Sequence, residues 1–313
     1  GAPSLKLSSG SAPAQPLDHI AALDGLRFLA AAVVLIGHSW NCLAKPFEFD
    51  FAFRHSPLTL LINGYGAVHL FFILSGFCLA GSADRVRKLV DLAQFYTRRI
   101  FRIHPPYVCA LLAAWVASFY YDTSHANGGL TASPLAMAAV HLSLRELLPY
   151  FLYPSVAANQ LNPAWTLTIE MNFSFLLPFM LWLTRRTHWT VLLAASLYPL
   201  LYFTRLPGFL SYTFYFALGI AIFQEQARLR RWADRLPTLG RAVFLVLGLG
   251  VFVSPWMLNV VYLPGFSYRP LGMGLSGAGG ALLLCAALFF PGTNRFLSSR
   301  LLVYGGKRSY SFY

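Results

Sequence analysis

The chain has 313 residues, of which 57% are hydrophobic and only 11% are charged. A soluble domain carries about 25% charged residues, so this composition excludes an ordinary soluble protein and predicts a polytopic membrane protein. The formal net charge of +13 at pH 7 does not require a nucleic-acid partner, because the basic residues cluster in short loops, as in the cytoplasmic loops of membrane proteins.

Taken in order, the chain predicts an all-α bundle of about nine or ten transmembrane helices, the last one truncated. Residues 1–18 are polar, and we expect a disordered tail ahead of one membrane domain over residues 19–313, incomplete at its C-terminus. Apolar runs long enough to span a bilayer cover 23–43, 58–80, 103–121, 164–184, 189–203, 208–224, 241–262 and 271–291, and a further run starts near 301.

The first apolar run contains two residues that are costly in a membrane, Arg27 and His38. Arginine in hydrocarbon costs at least about 2.5–3.5 kcal/mol, so it usually faces protein or a wet cavity. Eleven residues at about 100° each nearly complete three turns, which predicts both side chains on one helical face, about 16 Å apart. A permanent cation and a titratable imidazole on one face favour an anionic ligand at one end and proton chemistry at the other.

Loop charge predicts the orientation. The loop 81–102 contains six basic residues and should be cytoplasmic, which puts the N-terminus inside and Arg27 near the cytoplasmic face. The later basic turns also fall inside if 122–163 crosses the membrane an even number of times. We therefore interpret 135–151 as an amphipathic or re-entrant outer helix, or as two short half-spans.

The four cysteines, Cys42, Cys78, Cys109 and Cys285, form no Cys-x-x-Cys pair, and three lie within apolar runs. We interpret them as packing residues, although Cys42 could face an oxidising side, and we predict neither a metal site nor a disulfide.

Four separate stretches resemble the acyltransferase 3 family, integral-membrane enzymes that O-acylate cell-envelope sugars and related glycans. They are Leu23–Arg27 with His38 (the family's Arg-x10-His pattern), Leu70–Phe77, Phe95–Tyr107 and Trp165–Glu170. A fifth and shorter match, Gly305–Tyr313, resembles the start of a late span in that family. Position 69 departs from the variable or acidic residue that the resemblance leads us to expect, since it is His69.

The resemblance implies a cytoplasmic acyl-CoA, usually acetyl-CoA, as a co-substrate, with no permanently bound cofactor. Arginine binds phosphate groups bidentately and stays charged at any depth. Arg27 is therefore a candidate for binding the donor, together with Arg98, Arg99 and Arg102. Arg98 and Arg102 share a face if that segment is helical. The competing interpretations are positive-inside topology alone for the loop arginines and a snorkelling anchor for Arg27.

His38 is the candidate general base, because an acceptor hydroxyl is a poor nucleophile until its proton is removed. An acyl-histidine intermediate and a purely structural histidine are the alternatives. Glu170 is the acidic residue of its span and is expected to pair with an arginine, orient His38 or hydrogen-bond a sugar. Trp165 is expected to stack on a sugar ring, or else to be an interface aromatic.

Three further residues carry weaker expectations. Asp24 is expected to cap the first helix or to pair with Arg27. Ser75 and Gly76 favour close helix packing, and a serine hydroxyl could also donate to an oxyanion. His104 is interpreted as marking the start of a span.

The leading hypothesis is a membrane enzyme that transfers an acyl group, acetyl in the usual case, from cytoplasmic acyl-CoA to a hydroxyl of an envelope carbohydrate or glycosylated acceptor. The alternative is a transporter or flippase of a polar or anionic substrate, since intramembrane Arg, His and Glu would serve it equally well. A pseudo-enzyme or regulatory membrane subunit is the third reading. The expected partners are the lipid bilayer, acyl-CoA and a glycan, without nucleic acid. The expected location is a bacterial inner (plasma) membrane, with the N-terminus in the cytoplasm.

Overall fold

The computed structural model describes residues 20–43, 45–120, 143–153, 164–184, 208–258 and 269–309. Within these ranges all regular structure is helical and no strand is present, which confirms the all-α class. The helices are α1 (Ala21–Cys42), α2 (Phe47–Arg54), α3 (Gly64–Ala83), α4 (Leu89–Tyr120), α5 (Leu144–Leu152), α6 (Ala164–Thr184), α7 (Thr213–Gln224), α8 (Gln226–Arg235), α9 (Thr238–Leu258), α10 (Arg269–Phe289), α11 (Pro291–Leu297) and α12 (Arg300–Arg308).

Six of the described helices, α1, α3, α4, α6, α9 and α10, are long and apolar enough to cross a membrane. They correspond to six of the predicted apolar runs, although the start of α4 differs. The predicted run 208–224 appears as a shorter apolar helix over Phe209–Gln224. The run 189–203 and the expected tail over residues 1–18 lie outside the described residues.

One predicted boundary is wrong. The basic segment 81–102 is not a loop, because α3 continues to Ala83 and α4 already begins at Leu89. Helix α4 also passes through His104, Pro105 and Pro106, so His104 does not mark the start of a span. The boundary was placed where the apolar run begins, but apolarity predicts the membrane-spanning part of a helix and not the point at which the helix starts. Prolines are also tolerated inside membrane helices.

The predicted outer segment 135–151 is described only from Ser143 onward, where α5 forms. Its first turn has a capping box: the Ser143 side chain accepts from the Glu146 backbone N–H, and Glu146 Oε2 accepts from the Ser143 N–H at 2.8 Å. Ser143 Oγ also donates to Glu146 Oε2 at 2.7 Å. This side-chain hydrogen bond first, and the bond from the Ser143 backbone second, lower the pKa of Glu146. A helix therefore forms over the later part of that segment.

The run predicted to start near 301 coincides with α12, whose Leu302, Gly305 and Gly306 are buried. A side chain at Gly305 would collide with the ring of Phe28, and one at Gly306 with the backbone of Asp24. The absence of side chains at these two positions lets α12 pack closely against α1. The motif at the end of the chain thus supports the helix that carries Arg27.

Helix α3 lies at the centre of the bundle and contacts α1, α6, α7 and α10. Its side chains Phe72, Ile73 and Leu74 are almost fully buried. At the crossing with α7, a Cβ on Gly76 would meet the backbone of Phe216, and one on Gly219 would meet the carbonyl of Ile73. The prediction that Gly76 allows close helix packing is confirmed, and this contact fixes α3, which lines both of the cavities described next.

Candidate functional site

Two cavities lie on either side of a short common wall. The first, of about 410 Å³, contains His38 and is called the histidine cavity. The second, of about 460 Å³, is lined by five arginines and is called the arginine cavity. Arg27 and Ser75 line both. The seven predicted site residues all lie on these cavities: Arg27, His38, Trp165 and Glu170 line the first, and Arg27, Arg98, Arg99 and Arg102 line the second.

Helix α1 presents one face to the histidine cavity. Arg27, His38 and, three residues further along, Asn41 all line it. The predicted common face of Arg27 and His38 is therefore confirmed. His38 is an exposed side chain at this cavity, not a histidine enclosed between helices. Its imidazole is thus accessible to a molecule in the cavity.

Arg27 is held at the wall between the cavities. Its Nη1 donates to Asp24 Oδ1 at 3.1 Å, and its Nη2 donates to Cys78 Sγ at 3.0 Å on α3. The predicted pairing with Asp24 is confirmed, and the helix cap at that end is Ile20, with no side-chain hydrogen bond. Because the guanidinium contacts groups of two helices, it sits against protein between them, which disfavours the snorkelling interpretation.

Glu170 forms an ion pair with Arg99. Arg99 Nη2 donates to Glu170 Oε1 at 2.6 Å, and Arg99 Nε donates to Ser174 Oγ at 3.3 Å. Both side chains of the ion pair are only 12% exposed. Pairing with an arginine, one of the three roles considered for Glu170, is therefore observed. The pair joins α4 to α6 and holds Arg99 at the edge of the arginine cavity.

Arg98 and Arg102 lie one turn apart on α4, and both line the arginine cavity. Their predicted common face is confirmed, because the segment is helical. Arg85, from the link between α3 and α4, joins them. Among the described lining residues, five arginines face one acidic residue, Asp91, so the cavity favours a ligand that carries phosphate groups.

Trp165 lies between the core of the bundle and the histidine cavity. Its ring packs near Phe72 and Tyr212, with centroids 6.3 Å and 5.7 Å away. It is half-buried and also lines the histidine cavity, together with Tyr65 and Trp256. The cavity therefore has aromatic walls on which a sugar ring could stack.

Sequence reasoning missed a polar group at the far end of the histidine cavity. Arg54 on α2 donates to Asp50 and Asn41, and its guanidinium lies 5.3 Å from the ring centroid of Trp256. The pKa of Asp50 lies below its ordinary value. Burial raises it, but the hydrogen bonds from Arg54 and Trp40, together with the positive charges of Arg54 and Lys45, lower it by more. Helix α2 has no sequence spacing that relates it to Arg27 or His38. The sequence signal that could have pointed to this group is the presence of two acidic residues and an arginine within the aromatic segment that forms α2.

His69, the departure from the family pattern, lies in the core and lines neither cavity. Its Nδ1 is 3.0 Å from Ser276 Oγ, and its ring stacks on Tyr215 at 4.2 Å. His69 therefore takes part in the packing of α3 against α7 and α10.

Comparison with known proteins gives the family. An acyltransferase domain model, that of acyltransferase 3, matches residues 20–313. The chain belongs to this acyltransferase family. The suspected resemblance is confirmed, and the matched range covers all the residues that line the two cavities.

Two curated relatives share about half of this chain. Acyltransferase MdmB of Streptomyces mycarofaciens is 32% identical over 160 residues, which is 51% of this chain and 38% of that protein. Nodulation protein 10 of Rhizobium leguminosarum bv. viciae is 28% identical over 172 residues, or 52% of this chain and 44% of that protein. The matches therefore span less than half the length of either relative. No solved structure matches the chain significantly.

Proposed function

We propose that the chain is a membrane acyltransferase that moves an acyl group, acetyl in the simplest case, from cytoplasmic acyl-CoA to a carbohydrate hydroxyl. The observation that carries this proposal is the common wall between a basic cavity and a cavity that contains an accessible histidine. Family membership supports acyl transfer, and a relative is named an acyltransferase.

The arginine cavity suits the donor. CoA is rich in phosphate groups, and guanidinium groups bind phosphate with paired, charge-assisted hydrogen bonds. Arg98, Arg99 and Arg102 would bind these phosphates. The narrow, uncharged arm of CoA would then run past Arg27 and Ser75 and carry the thioester into the histidine cavity. Glu170 contributes by holding Arg99 in place.

The histidine cavity suits the acceptor. A neutral His38 would take the proton of an acceptor hydroxyl, and the oxygen would attack the thioester carbonyl. The carbon–sulfur bond then breaks, CoA leaves as a thiolate, and the proton on His38 neutralises it. The Ser75 hydroxyl on the common wall would donate to the oxyanion, and Trp165 would stack on the sugar.

The test is CoA release from acetyl-CoA by the full-length protein in its native membranes, which supply the acceptor. We expect His38→Ala to lower the rate by about 10²–10⁴-fold, the usual contribution of a general base. His104→Ala is the matched control, because His104 is half-buried and lines neither cavity.

Equal rates in wild type and His38→Ala would make His38 structural and place the chemistry elsewhere. If the wild type leaves acetyl-CoA and other acyl-CoA donors intact, the transporter hypothesis takes precedence over acyl transfer.

A further inference from the structure

The histidine cavity has a second polar end, far from the arginine cavity. Asn41 is fourteen residues beyond Arg27 on α1, about 21 Å along the helix axis. Arg54 of α2 and Trp256 of α9 line the cavity with it. No role has so far been given to these three residues.

Arg54 is held rigidly at this end. Its Nε donates to Asp50 Oδ2 at 2.8 Å, and its Nη2 donates to Asn41 Oδ1 at 2.7 Å. Asp50 is itself fixed, since it accepts from Trp40 Nε1 at 2.6 Å and lies 3.7 Å from Lys45 Nζ. The arginine side chain is only 20% exposed, so its direction is set by protein contacts.

The guanidinium keeps hydrogen-bonding capacity for a ligand. An arginine has five N–H donors in a fixed plane. Two nitrogens of Arg54 donate to Asp50 and Asn41, and within the described ranges Nη1 has no hydrogen-bond acceptor. Asp50 balances part of the positive charge of Arg54. The N–H donors of Arg54 can therefore bind neutral hydroxyl groups as well as anions.

Trp256 provides a fixed aromatic surface beside Arg54. Its Nε1 donates to Asn63 Oδ1 at 2.9 Å. Asn63 caps α3 by accepting from Gly66 N at 2.9 Å, and its Nδ2 donates to the Phe252 carbonyl at 3.3 Å. The tryptophan is thus tied to the start of α3, and its orientation is defined.

We infer that Asn41, Arg54 and Trp256 form an acceptor subsite that takes the ring of a carbohydrate next to His38. Asn41 lies three residues after His38 on the same helix, so a sugar held there is within about one turn of the imidazole. Arg54 donates to sugar oxygens neighbouring the acylated one, and the indole edge contacts the ring. Arg54 would thus determine the specificity for the acceptor. The inference rests on the proposed acyl transfer.

The experiment follows radiolabel from [1-¹⁴C]acetyl-CoA in native membranes that contain the full-length protein. Label is separated into glycan and free acetate, and the acetyl-CoA KM is measured. For Arg54→Gln we expect label transfer to glycan to fall by about ten- to a hundredfold, as for the loss of hydrogen bonds from a charged group. The acetyl-CoA KM should stay within about twofold, because Arg54 does not line the arginine cavity.

The control is Arg228→Gln, which removes an exposed arginine on α8 whose side chain is 81% accessible. A second variant, Asn41→Ala, should lower transfer in the same direction, because it removes a group that orients Arg54.

Results for Arg54→Gln can overturn the inference, and a separate result for His38→Ala would overturn the proposed function on which it rests. Unchanged transfer in Arg54→Gln would exclude an acceptor contact. A raised acetyl-CoA KM, or loss of the protein from the membrane, would make Arg54 a structural residue. Equal labelling in wild type and His38→Ala would contradict the proposed function itself, and this result is distinguishable because it does not depend on Arg54.

Discussion

At the scale of single residues, the site depends on charges that are fixed by partners from other helices. Arg27 reaches Asp24 on its own helix and Cys78 on α3, and Arg99 reaches Glu170 on α6. A guanidinium can serve two partners at once because its donors form a planar fork, whereas an ammonium is a point charge. The exchange of arginine for lysine is therefore a sensitive test of these positions.

Arg27→Lys should raise the acetyl-CoA KM by about tenfold or more, since one charge-assisted hydrogen bond contributes about 1.5–3 kcal/mol. The measurement is initial-rate kinetics of CoA release in membranes. Arg241→Lys is the control, because Arg241 donates to the Ala233 carbonyl and lines neither cavity. An unchanged acetyl-CoA KM in Arg27→Lys would remove Arg27 from the donor site.

Arg99→Gln and Glu170→Gln should each lower the free energy of unfolding by about 3 kcal/mol, because each leaves a largely buried charge without its ion-pair partner. The double variant should lose clearly less than the sum of the two. Thermal unfolding of the purified protein in detergent measures all three. Strict additivity would show that the two charges do not interact.

At the scale of helices, the bundle depends on a few positions where backbones touch. Gly76 on α3 and Gly219 on α7 lie at the same crossing, and a Cβ on either would meet the backbone of the opposite helix. Backbone cannot move aside as a flexible side chain can. The crossing also sets the position of Ser75, which precedes Gly76 and lines both cavities.

Gly76→Ala should lower the free energy of unfolding by about 1–3 kcal/mol, the range for overpacking a close contact. Gly250→Ala on α9 is the matched control, because a Cβ there meets nothing within 4 Å. The control should be neutral or gain up to about 1 kcal/mol from helix propensity. Thermal unfolding in detergent measures both. Equal stabilities of the two variants would mean that α3 and α7 can move apart at this crossing without a loss of unfolding free energy.

At the scale of the whole molecule, the two cavities lie towards opposite ends of α1. The arginine cavity includes Arg85 from the link that joins α3 and α4, whereas Arg54 lies in the segment that joins α1 and α3. Successive membrane helices connect on alternate sides, so these segments should face opposite compartments. The basic link is expected on the cytoplasmic side.

This orientation is tested with single cysteines in a background without the native four. Lys88→Cys, in the basic link, should be protected from a membrane-impermeant thiol reagent in intact cells and react after permeabilisation. Glu48→Cys, on the exposed part of α2, should react in intact cells. The reverse labelling pattern would show the opposite orientation, with the arginine cavity on the outer side of the membrane.

The sequence predicts best which side chains share one face of a single helix. The common face of Arg27 and His38, and of Arg98 and Arg102, follows from helical geometry alone and is observed. The partner of Glu170 was not predictable as a specific residue, because Arg99 is 71 positions away in sequence. Arg54 was missed for the same reason, since only tertiary packing brings α2 to the cavity. The apolar run gave the wrong start for α4, because the helix begins at Leu89, in a polar segment ahead of that run.

Arg27 and Ser75 line both cavities, so a ligand in one cavity would contact side chains that also face the other. A ligand in the arginine cavity that draws the guanidinium away from Cys78 changes the surface offered to a ligand in the histidine cavity. Thermodynamic linkage makes this effect reciprocal. If the bound donor changes the affinity for the acceptor by some factor, the bound acceptor changes the affinity for the donor by the same factor. If the proposed function holds, acyl-CoA binding and acceptor binding are coupled through Arg27 and Ser75, and the order in which the two substrates bind depends on the wall between the cavities.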